Sequence, residues 1–464
     1  MDAQTVNVNG SRICVAGLGV SGTAAARVLA EAGAEVTVVE SRRGEAERER
    51  AGELARLGVR VRFGDVETAP PGTELIVTSP GWSPASPLLR GEIPVIGEVE
   101  LAWRLRPEKA APWLCVTGTN GKTTAVRMLA AMLTAAGHRA LAVGNVGTPI
   151  VEAVHGDHDV LAVELSSFQL HWSATLAPHA SAVLNLAPDH VDWHGSVEAY
   201  AEAKARVFER AGHVVHNADD TWSSRLAEPY RGSGAQVVGC TLAVPRPGQF
   251  GIVEDLLVDR AYVENPAENG TEIATFADIR PLAPHNVANA LAAGALARSF
   301  GVPPDAIALG LRGFVPDPHR MAAVGRAAGL DWVDDSKATN PHAAAASLAA
   351  YPSIVWIAGG LIRGGGSDLD DVVRRAAPRL RAAVLIGTDR AKIHESLARH
   401  APDVPVIELA ETDTSVMDRV VTEAVRLAAP GDTVLLAPAA ASLDMFTDYK
   451  ARGEAFAAAV RRLP

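Results

Sequence analysis

Cysteine is scarce in this chain. Cys14, Cys115 and Cys240 are the only three in 464 residues, and no two form a CxxC pair. An odd, widely spaced set argues against a disulfide framework and a cysteine-built zinc site. Aromatic residues are few, at 5%. No run of about 18 apolar residues occurs, so no membrane insertion is expected. The opening MDAQTVNVNGSR lacks the apolar core of a signal peptide, and the expected compartment is the cytoplasm. Basic charge is in deficit: Lys+Arg is 43 against Asp+Glu 54, a formal net charge of −11. Binding nucleic acid or a membrane surface needs a basic face, so neither is expected as the main function. A local basic pocket for a phosphate stays compatible with this charge. No short repeat of fixed period is present, and a monomer is the expected assembly.

What is there suits a soluble globular chain. Hydrophobic residues make up 48%, enough to fill several cores, and the length allows about two to four domains. Short apolar runs alternate with Ala-rich amphipathic stretches, the βαβα rhythm of an α/β fold with mostly parallel sheets. The first block has strands at 13–18, 35–39 and 75–78 and a helix over 22–32. The second opens with a strand at 113–117 and a helix over 124–136. Across 240–280 it loses alanine, and its polar alternation predicts antiparallel strands; a long helix follows over 281–300. Two prolines in Phe314-Val315-Pro316-Asp317-Pro318 mark a linker. The third block has strands at 354–358, 382–386, 404–408 and 433–437. Three α/β domains are therefore expected, 1–102, 103–316 and 317–464, with ligands beyond the carboxyl ends of their strands.

The most informative local feature is Gly118-Thr119-Asn120-Gly121-Lys122-Thr123-Thr124, between an apolar strand and a helix. Glycines let backbone N–H groups curl around phosphate oxygens, and the helix N-terminus adds its positive dipole end. Lys122 is placed to reach the terminal phosphates, and Thr123 or Thr124 to hold Mg²⁺. The spacing is GxxGK[ST], shorter than the usual GxxxxGK[ST]. Glu164 ends the apolar strand of VLAVELSSFQL, where an α/β nucleoside triphosphatase places a carboxylate near the metal. His190 follows another apolar run, and Ser196 stands where it can cap a helix carrying Lys204 and Arg206. A bare Lys204 ammonium near Mg²⁺ would be repelled; a lysine that has captured CO₂ as a carbamate reverses its charge.

In the first block, Gly17-Leu18-Gly19-Val20-Ser21-Gly22 is a GxGxxG between strand and helix, with Glu40 ending the next strand. The local reading is a nicotinamide dinucleotide site. Its physical content is narrower, a diphosphate on a helix end, which a UDP group satisfies equally. In the third block, Asp334-Asp335-Ser336-Lys337-Ala338-Thr339-Asn340 mixes charge, hydroxyl and amide after a short strand. A second polar stretch, Ser442-Leu443-Asp444-Met445-Phe446-Thr447-Asp448-Tyr449, follows TVLLAP, with Ser442 expected at a helix start.

GTNGKTT, ELSSFQL, DHVDWHG followed by AEAKARVF, HNVANALAA, PHR, DDSKATNPHA and LLAPAAASLDMFTDYKARG occur in that order. The combination spans the chain and closely resembles the Mur ligase family of bacterial cell-wall synthesis, in particular its D-glutamate-adding branch. The resemblance implies a Rossmann-like N-terminal domain, a central P-loop ATPase-like domain with a mostly parallel sheet, and a Rossmann-like C-terminal domain. It implies ATP and Mg²⁺, with UDP-N-acetylmuramoyl-L-alanine and D-glutamate as the molecules joined, through an acyl phosphate. Lys122, Glu164, His190 and Lys204 would be catalytic. Thr123 and Glu164 would hold Mg²⁺, with His190 and a carbamylated Lys204 at a second metal position. Around ATP the matching positions are Asn289, Arg320 and Asp335, beside the loop 118–124. Around the UDP-sugar they are Val20, Ser21, Glu40, Ser41, Arg42 and Gly81, with Asn145 toward the muramoyl peptide. Lys337, Thr339, Ser442, Leu443 and Tyr449 would surround D-glutamate.

Three positions depart from the family pattern. Thr123 replaces a frequent serine, which keeps the hydroxyl. Tyr449 stands where relatives often have Phe, which keeps a ring. Arg363 stands for Lys, which keeps the charge with different donor geometry. Among alternatives, a folylpolyglutamate synthetase should lack the first-block GxGxxG. An NAD-linked dehydrogenase leaves the phosphate loop and third block unexplained. A non-catalytic nucleotide-binding switch would not need every phosphate, metal and amino-acid group.

Overall fold

The computed structural model describes residues 8–64, 66–362, 367–411 and 413–463. Among them the chain forms three sheets. The first contains β1 (Arg12–Ala16), β2 (Glu35–Glu40), β3 (Arg60–Phe63), β4 (Leu75–Thr78) and β5 (Val95–Gly97). Their order is β3-β2-β1-β4-β5, all parallel.

The second sheet contains β6 (Trp113–Thr117), β7 (Ala140–Gly144), β8 (Val160–Glu164), β9 (Ala180–Val183), β10 (His213–Asn217), β11 (Gln236–Cys240), β12 (Gln249–Val253), β13 (Leu256–Asp259) and β14 (Thr271–Thr275). Its order is β14-β13-β12-β11-β10-β9-β6-β8-β7. The pairs from β12 to β7 are parallel, and only β12–β13 and β13–β14 are antiparallel. The antiparallel strands fall in the stretch where alanine thins out. β6 and β8 are buried along their whole length, which is why they read as unbroken apolar runs rather than alternating ones.

The third sheet contains β15 (Ala322–Ala327), β16 (Leu330–Asp334), β17 (Ile354–Gly359), β18 (Leu380–Ile386), β19 (Val406–Glu408) and β20 (Thr433–Leu436), in the order β15-β16-β20-β17-β18-β19. β15 and β16 form an antiparallel hairpin and the other pairs are parallel. Successive residues of β17 serve two cores, Ile354, Trp356 and Ala358 on one face and Val355 and Ile357 on the other. That is the period of two expected of a strand covered on both sides.

The chain packs as two compact units, residues 1–278 with 288–314, and residues 279–287 with 315–464. The first two sheets lie in one unit. The helix Glu98–Leu105 joins them through two buried carboxylates. Glu98 Oε1 accepts from Val151 N at 2.7 Å. Glu100 accepts from Ala174 N at 2.8 Å, Thr175 N at 2.9 Å and Thr175 Oγ1 at 2.7 Å. Among the described residues no helix is long and apolar enough to cross a membrane.

Candidate active site

The phosphate loop follows β6, and its helix spans Lys122–Ala135, which begins at Lys122 and puts that lysine in the first turn. Gly121 has φ +84°, and a Cβ there would stand 2.4 Å from Asn289 Oδ1. Only glycine suits that backbone and that approach. The loop is fastened to the segment after β9. Thr119 N donates to Asn185 O at 3.0 Å. Asn120 N donates to Asn185 Oδ1 at 2.9 Å, and Asn185 Nδ2 donates back to Asn120 O at 3.0 Å. Thr119 Oγ1 accepts from Ala187 N at 3.0 Å and lies 3.0 Å from Tyr200 OH.

Two lysines converge on this loop. Lys122 Nζ donates to Gly118 O and Thr119 O, both at 2.9 Å. Lys204 Nζ donates to the same Gly118 carbonyl at 2.8 Å and lies 4.6 Å from the centre of the Tyr200 ring. Ser196 caps the helix Val197–Ala205 that carries Lys204, accepting from Ala199 N, while Arg206 lies in the turn beyond it. Lys204 is 1% exposed. Burial, and then repulsion from Lys122, push its ammonium well below the usual lysine range, against the pull of Asp189 and Glu164. A buried amine of that kind is held toward its neutral, nucleophilic form.

Glu164 ends β8 and is buried. Oε1 accepts from Asn145 Nδ2 at 2.8 Å, and Oε2 is buried without a hydrogen-bond partner. An unpartnered buried carboxylate oxygen is costly, and a bound cation or an ordered water would relieve it. Thr123 and Thr124 stand in the first turn of the loop's helix, half-buried. Among the described residues no group of three or more His, Cys, Asp or Glu side chains is arranged to enclose a metal. His190 has φ +53° and its Nε2 lies 3.6 Å from Asp189 Oδ2. Burial lowers its imidazole, Asp189 opposes this, and Lys204 and Lys122 lower it further. The structure thus gathers the loop with Lys122, Glu164, Asn145, Lys204 and Asn289, and puts His190 in the field of both lysines. Sequence reasoning missed Asn185 and Tyr200.

In the first sheet Glu40 is largely consumed by the chain. Oε2 accepts from Leu18 N at 2.8 Å, and Oε1 accepts from Arg42 N at 2.9 Å, with Ser41 Oγ and Arg42 Nε at 3.4 Å. Burial pushes its carboxyl up, and these N–H donors outweigh that and lower it. Its observed work is to shape the glycine loop. Val20, 65% exposed, Ser41, Arg42 and Gly81 leave that end of the sheet open, with Ser21 half-buried.

In the second unit, Asp335 is buried. Oδ1 accepts from Met321 N at 3.1 Å, and Oδ2 accepts from Ser347 Oγ. Burial pushes its carboxyl up to about 6 against those donors and Arg320. Arg320 Nε lies 3.8 Å from Asp317. Lys337 Nζ sits 4.2 Å from the centre of the Tyr449 ring, a cation–π contact. Thr339 N donates to Lys337 O at 2.8 Å, closing a tight turn. Ser442 does not start a helix. It begins a turn, its carbonyl accepting from Met445 N and Phe446 N, and the helix Tyr449–Arg461 starts later, capped by Asp448. The cap decides this, since Asp448 Oδ1 accepts from Ala451 N at 2.8 Å. Leu443 is 58% exposed. Arg363 lies outside the described residues.

Residues 116–297 match the Mur ligase middle domain, and residues 319–440 match the Mur ligase glutamate ligase domain. The chain is 59% identical to the UDP-N-acetylmuramoylalanine–D-glutamate ligase of Thermobifida fusca, over 99% of this chain and 100% of that one. It is 58% identical to the ligase of the same name from Streptomyces coelicolor, over 98% of each. Among solved structures it resembles the UDP-N-acetylmuramate-alanine ligase of Thermotoga maritima, with TM-score 0.57, 18% identity and 96% and 98% of the two chains covered. It also resembles the Mycobacterium tuberculosis folylpolyglutamate synthase, with TM-score 0.56, 16% identity and 76% and 92% covered. These two likenesses establish a shared fold. With the phosphate loop, the paired lysines and identity over its full length on the page, the chain belongs to the Mur ligase family.

Proposed function

We propose that the protein joins the amine of D-glutamate to the carboxyl of UDP-N-acetylmuramoyl-L-alanine, with ATP converted to ADP and phosphate, in peptidoglycan precursor synthesis. The observation that carries this reading is the full-length identity to ligases of that name. The fold alone does not choose the substrate, since an alanine-adding ligase and a folylpolyglutamate synthase share it.

A carboxylate is a poor electrophile. In the proposed sequence its oxygen attacks the γ-phosphorus, ADP leaves, and an acyl phosphate forms. The lone pair of the D-glutamate amine, after loss of an ammonium proton, attacks the acyl carbon. The tetrahedral intermediate loses a second N–H proton to solvent and collapses with cleavage of the C–O bond, the electron pair leaving with phosphate. Positioning and charge neutralisation supply most of the catalysis. Gly118, Thr119, Asn120, Gly121, Thr123 and Thr124 are assigned to the phosphates, with the Thr119 and Asn120 amides held by Asn185 and fixing the shape of the loop, and Lys122 steadies the transferring group. Mg²⁺, held by Thr123 and Glu164, would neutralise phosphate charge, with His190 and Lys204 as its carbamate at a second position. The unpartnered oxygen of Glu164 and the depressed Lys204 support this assignment.

Asn289, Arg320 and Asp335 are assigned to the nucleotide. Val20, Ser21, Glu40, Ser41, Arg42, Gly81 and Asn145 are assigned to the UDP-sugar, and Lys337, Thr339, Ser442, Leu443 and Tyr449 to D-glutamate. The bond from Asn145 to Glu164 suits a residue between the sugar-peptide and the metal. Three functional domains, a monomeric state and a cytoplasmic location complete the reading.

The test is phosphate release from ATP by purified protein with Mg²⁺, bicarbonate and UDP-N-acetylmuramoyl-L-alanine. D-glutamate, L-glutamate, D-aspartate and glycine are supplied separately. Release with D-glutamate alone, with the amide product seen by mass spectrometry, is expected. Release with another acceptor would keep the ligation and move the specificity, and no release with any acceptor would reject the reading.

A further inference from the structure

Arg452 lies on the helix Tyr449–Arg461, in the turn after Tyr449, and is 1% exposed. Its guanidinium is a planar fork of five N–H donors. Nε donates to Ser336 Oγ at 3.0 Å, and Nη2 donates to Ser336 O at 2.8 Å. Nη1 donates to Ala440 O at 3.1 Å and to Gly359 O at 3.3 Å. Ser336 Oγ in turn donates to Tyr449 O at 2.7 Å. One side chain therefore ties together the carboxyl ends of β16, β17 and β20 and the first residue of its own helix. Ser336 directly precedes Lys337, and Ala440 stands two residues before Ser442.

The charge is unusual as well as the geometry. The hydrogen-bond partners are a hydroxyl and three backbone carbonyls, while Asp444 and Asp334 act on the guanidinium only through space. A buried cation bonded to carbonyls and a hydroxyl is kept against a large desolvation cost, and an apolar side chain would fill the volume more cheaply. The helix has no slack around it. At the next residue, Gly453, a Cβ would lie 2.2 Å from His319 Nδ1 and 2.7 Å from Asp334 Oδ2. Those two atoms are themselves paired at 2.6 Å.

We propose that Arg452 is a positioning residue for the amino-acid substrate, fixing the three strand-end loops so that Lys337, Ser442 and Tyr449 meet the carboxylates of D-glutamate. This rests on the D-glutamate reading above. The fork matters more than the charge, because a lysine ammonium at that place has three donors on a flexible stem and cannot span three strand ends.

The test compares the wild-type protein with R452K, R452Q and S336A in phosphate-release kinetics, varying D-glutamate and ATP in turn, with thermal melting to confirm folding. Wild-type release that depends on D-glutamate establishes the underlying reading, and its absence would overturn that reading and this inference together. The expected result is that R452K and R452Q raise the KM for D-glutamate by about tenfold or more, with the KM for ATP changed less than about twofold. S336A keeps the cation and removes the hydroxyl between Arg452 and Tyr449, and is expected to shift the same KM by about threefold. A change confined to kcat, or a wild-type KM for D-glutamate in R452K, would overturn the inference while leaving the ligase reading intact. If both Arg452 variants fail to fold, S336A decides: an unchanged KM for D-glutamate overturns the inference, and a selective rise supports it.

Discussion

At the scale of single residues, the site is organised by one carbonyl. Gly118 O accepts from both Lys122 and Lys204, and two ammonium groups cannot share it without mutual repulsion. Lys204 yields because it is the buried one. Its depressed proton affinity enlarges the fraction of neutral amine at neutral pH, which is the form that adds to CO₂. Turnover in buffers stripped of CO₂ is therefore expected to fall and to recover on adding bicarbonate, with a carbamate carbon visible by NMR in ¹³C-bicarbonate. Equal rates in both buffers and no carbamate signal would remove this role.

Tyr200 carries a second prediction. Its hydroxyl meets Thr119 Oγ1, and its ring lies beside Lys204 Nζ. Tyr200→Phe removes only the hydroxyl, and Thr119 keeps its bonds to Ala187. The loss is about 1 kcal/mol at the phosphate loop. The KM for ATP is expected to rise about fivefold, with the KM for D-glutamate unchanged. An unchanged KM for ATP would show that the phenol does not position the loop. Neither Tyr200 nor Asn185 was legible in the sequence. Their partners, Thr119 and Asn120, lie 81 and 65 residues away, and no local pattern marks a bond of that range.

At the scale of elements, two acids on one helix take opposite courses. Glu100 is buried and accepts from two backbone N–H groups, a threonine hydroxyl and Arg104. Burial pushes its carboxyl up, and these donors overcome that and lower it. Glu98 has only the backbone N–H groups of Val151 and Ile150, so burial wins and its carboxyl rises to about 7, from 4.5 when free. The folded protein then holds a proton that the unfolded chain has already lost above pH 4.5. The associated stability is fully present below that pH and is lost as pH rises through about 7, to a total on the order of 3 kcal/mol. Glu98→Gln cannot ionise. Its melting temperature is expected to change less between pH 5.5 and pH 8 than that of the wild type, and an identical slope would show that Glu98 does not carry the titration.

The phosphate loop, the cap at Ser196 and the ribbon after β11 were legible because each is a short-range pattern: glycines around a lysine, a hydroxyl before a helix, alternating polarity. The helix expected at Ser442 was not there. A serine after an apolar strand serves a turn as well as a cap, and Asp448 had the stronger claim.

At the scale of the whole molecule, the rhythm of apolar runs placed strands in three blocks but left the strand orders of the three sheets open. β20 lies between β16 and β17, although about a hundred residues separate β16 from β20 in the chain. Pairing of that kind is set by which faces can be buried together, and every candidate strand in an α/β chain looks equally apolar. The same long-range packing decides how the molecule comes apart. Leu129, on the helix behind the phosphate loop, is buried in one compact unit, and Leu435, in β20, is buried in the other. Each unit has its own hydrophobic interior, so unfolding of the full chain is not expected to be a single two-state event. In scanning calorimetry the measured enthalpy should exceed the van't Hoff enthalpy. Leu129→Ala and Leu435→Ala, each costing about 2–5 kcal/mol, should lower different transitions. A single sharp transition that both substitutions shift equally, with matching enthalpies, would mean that the two units unfold as one cooperative body.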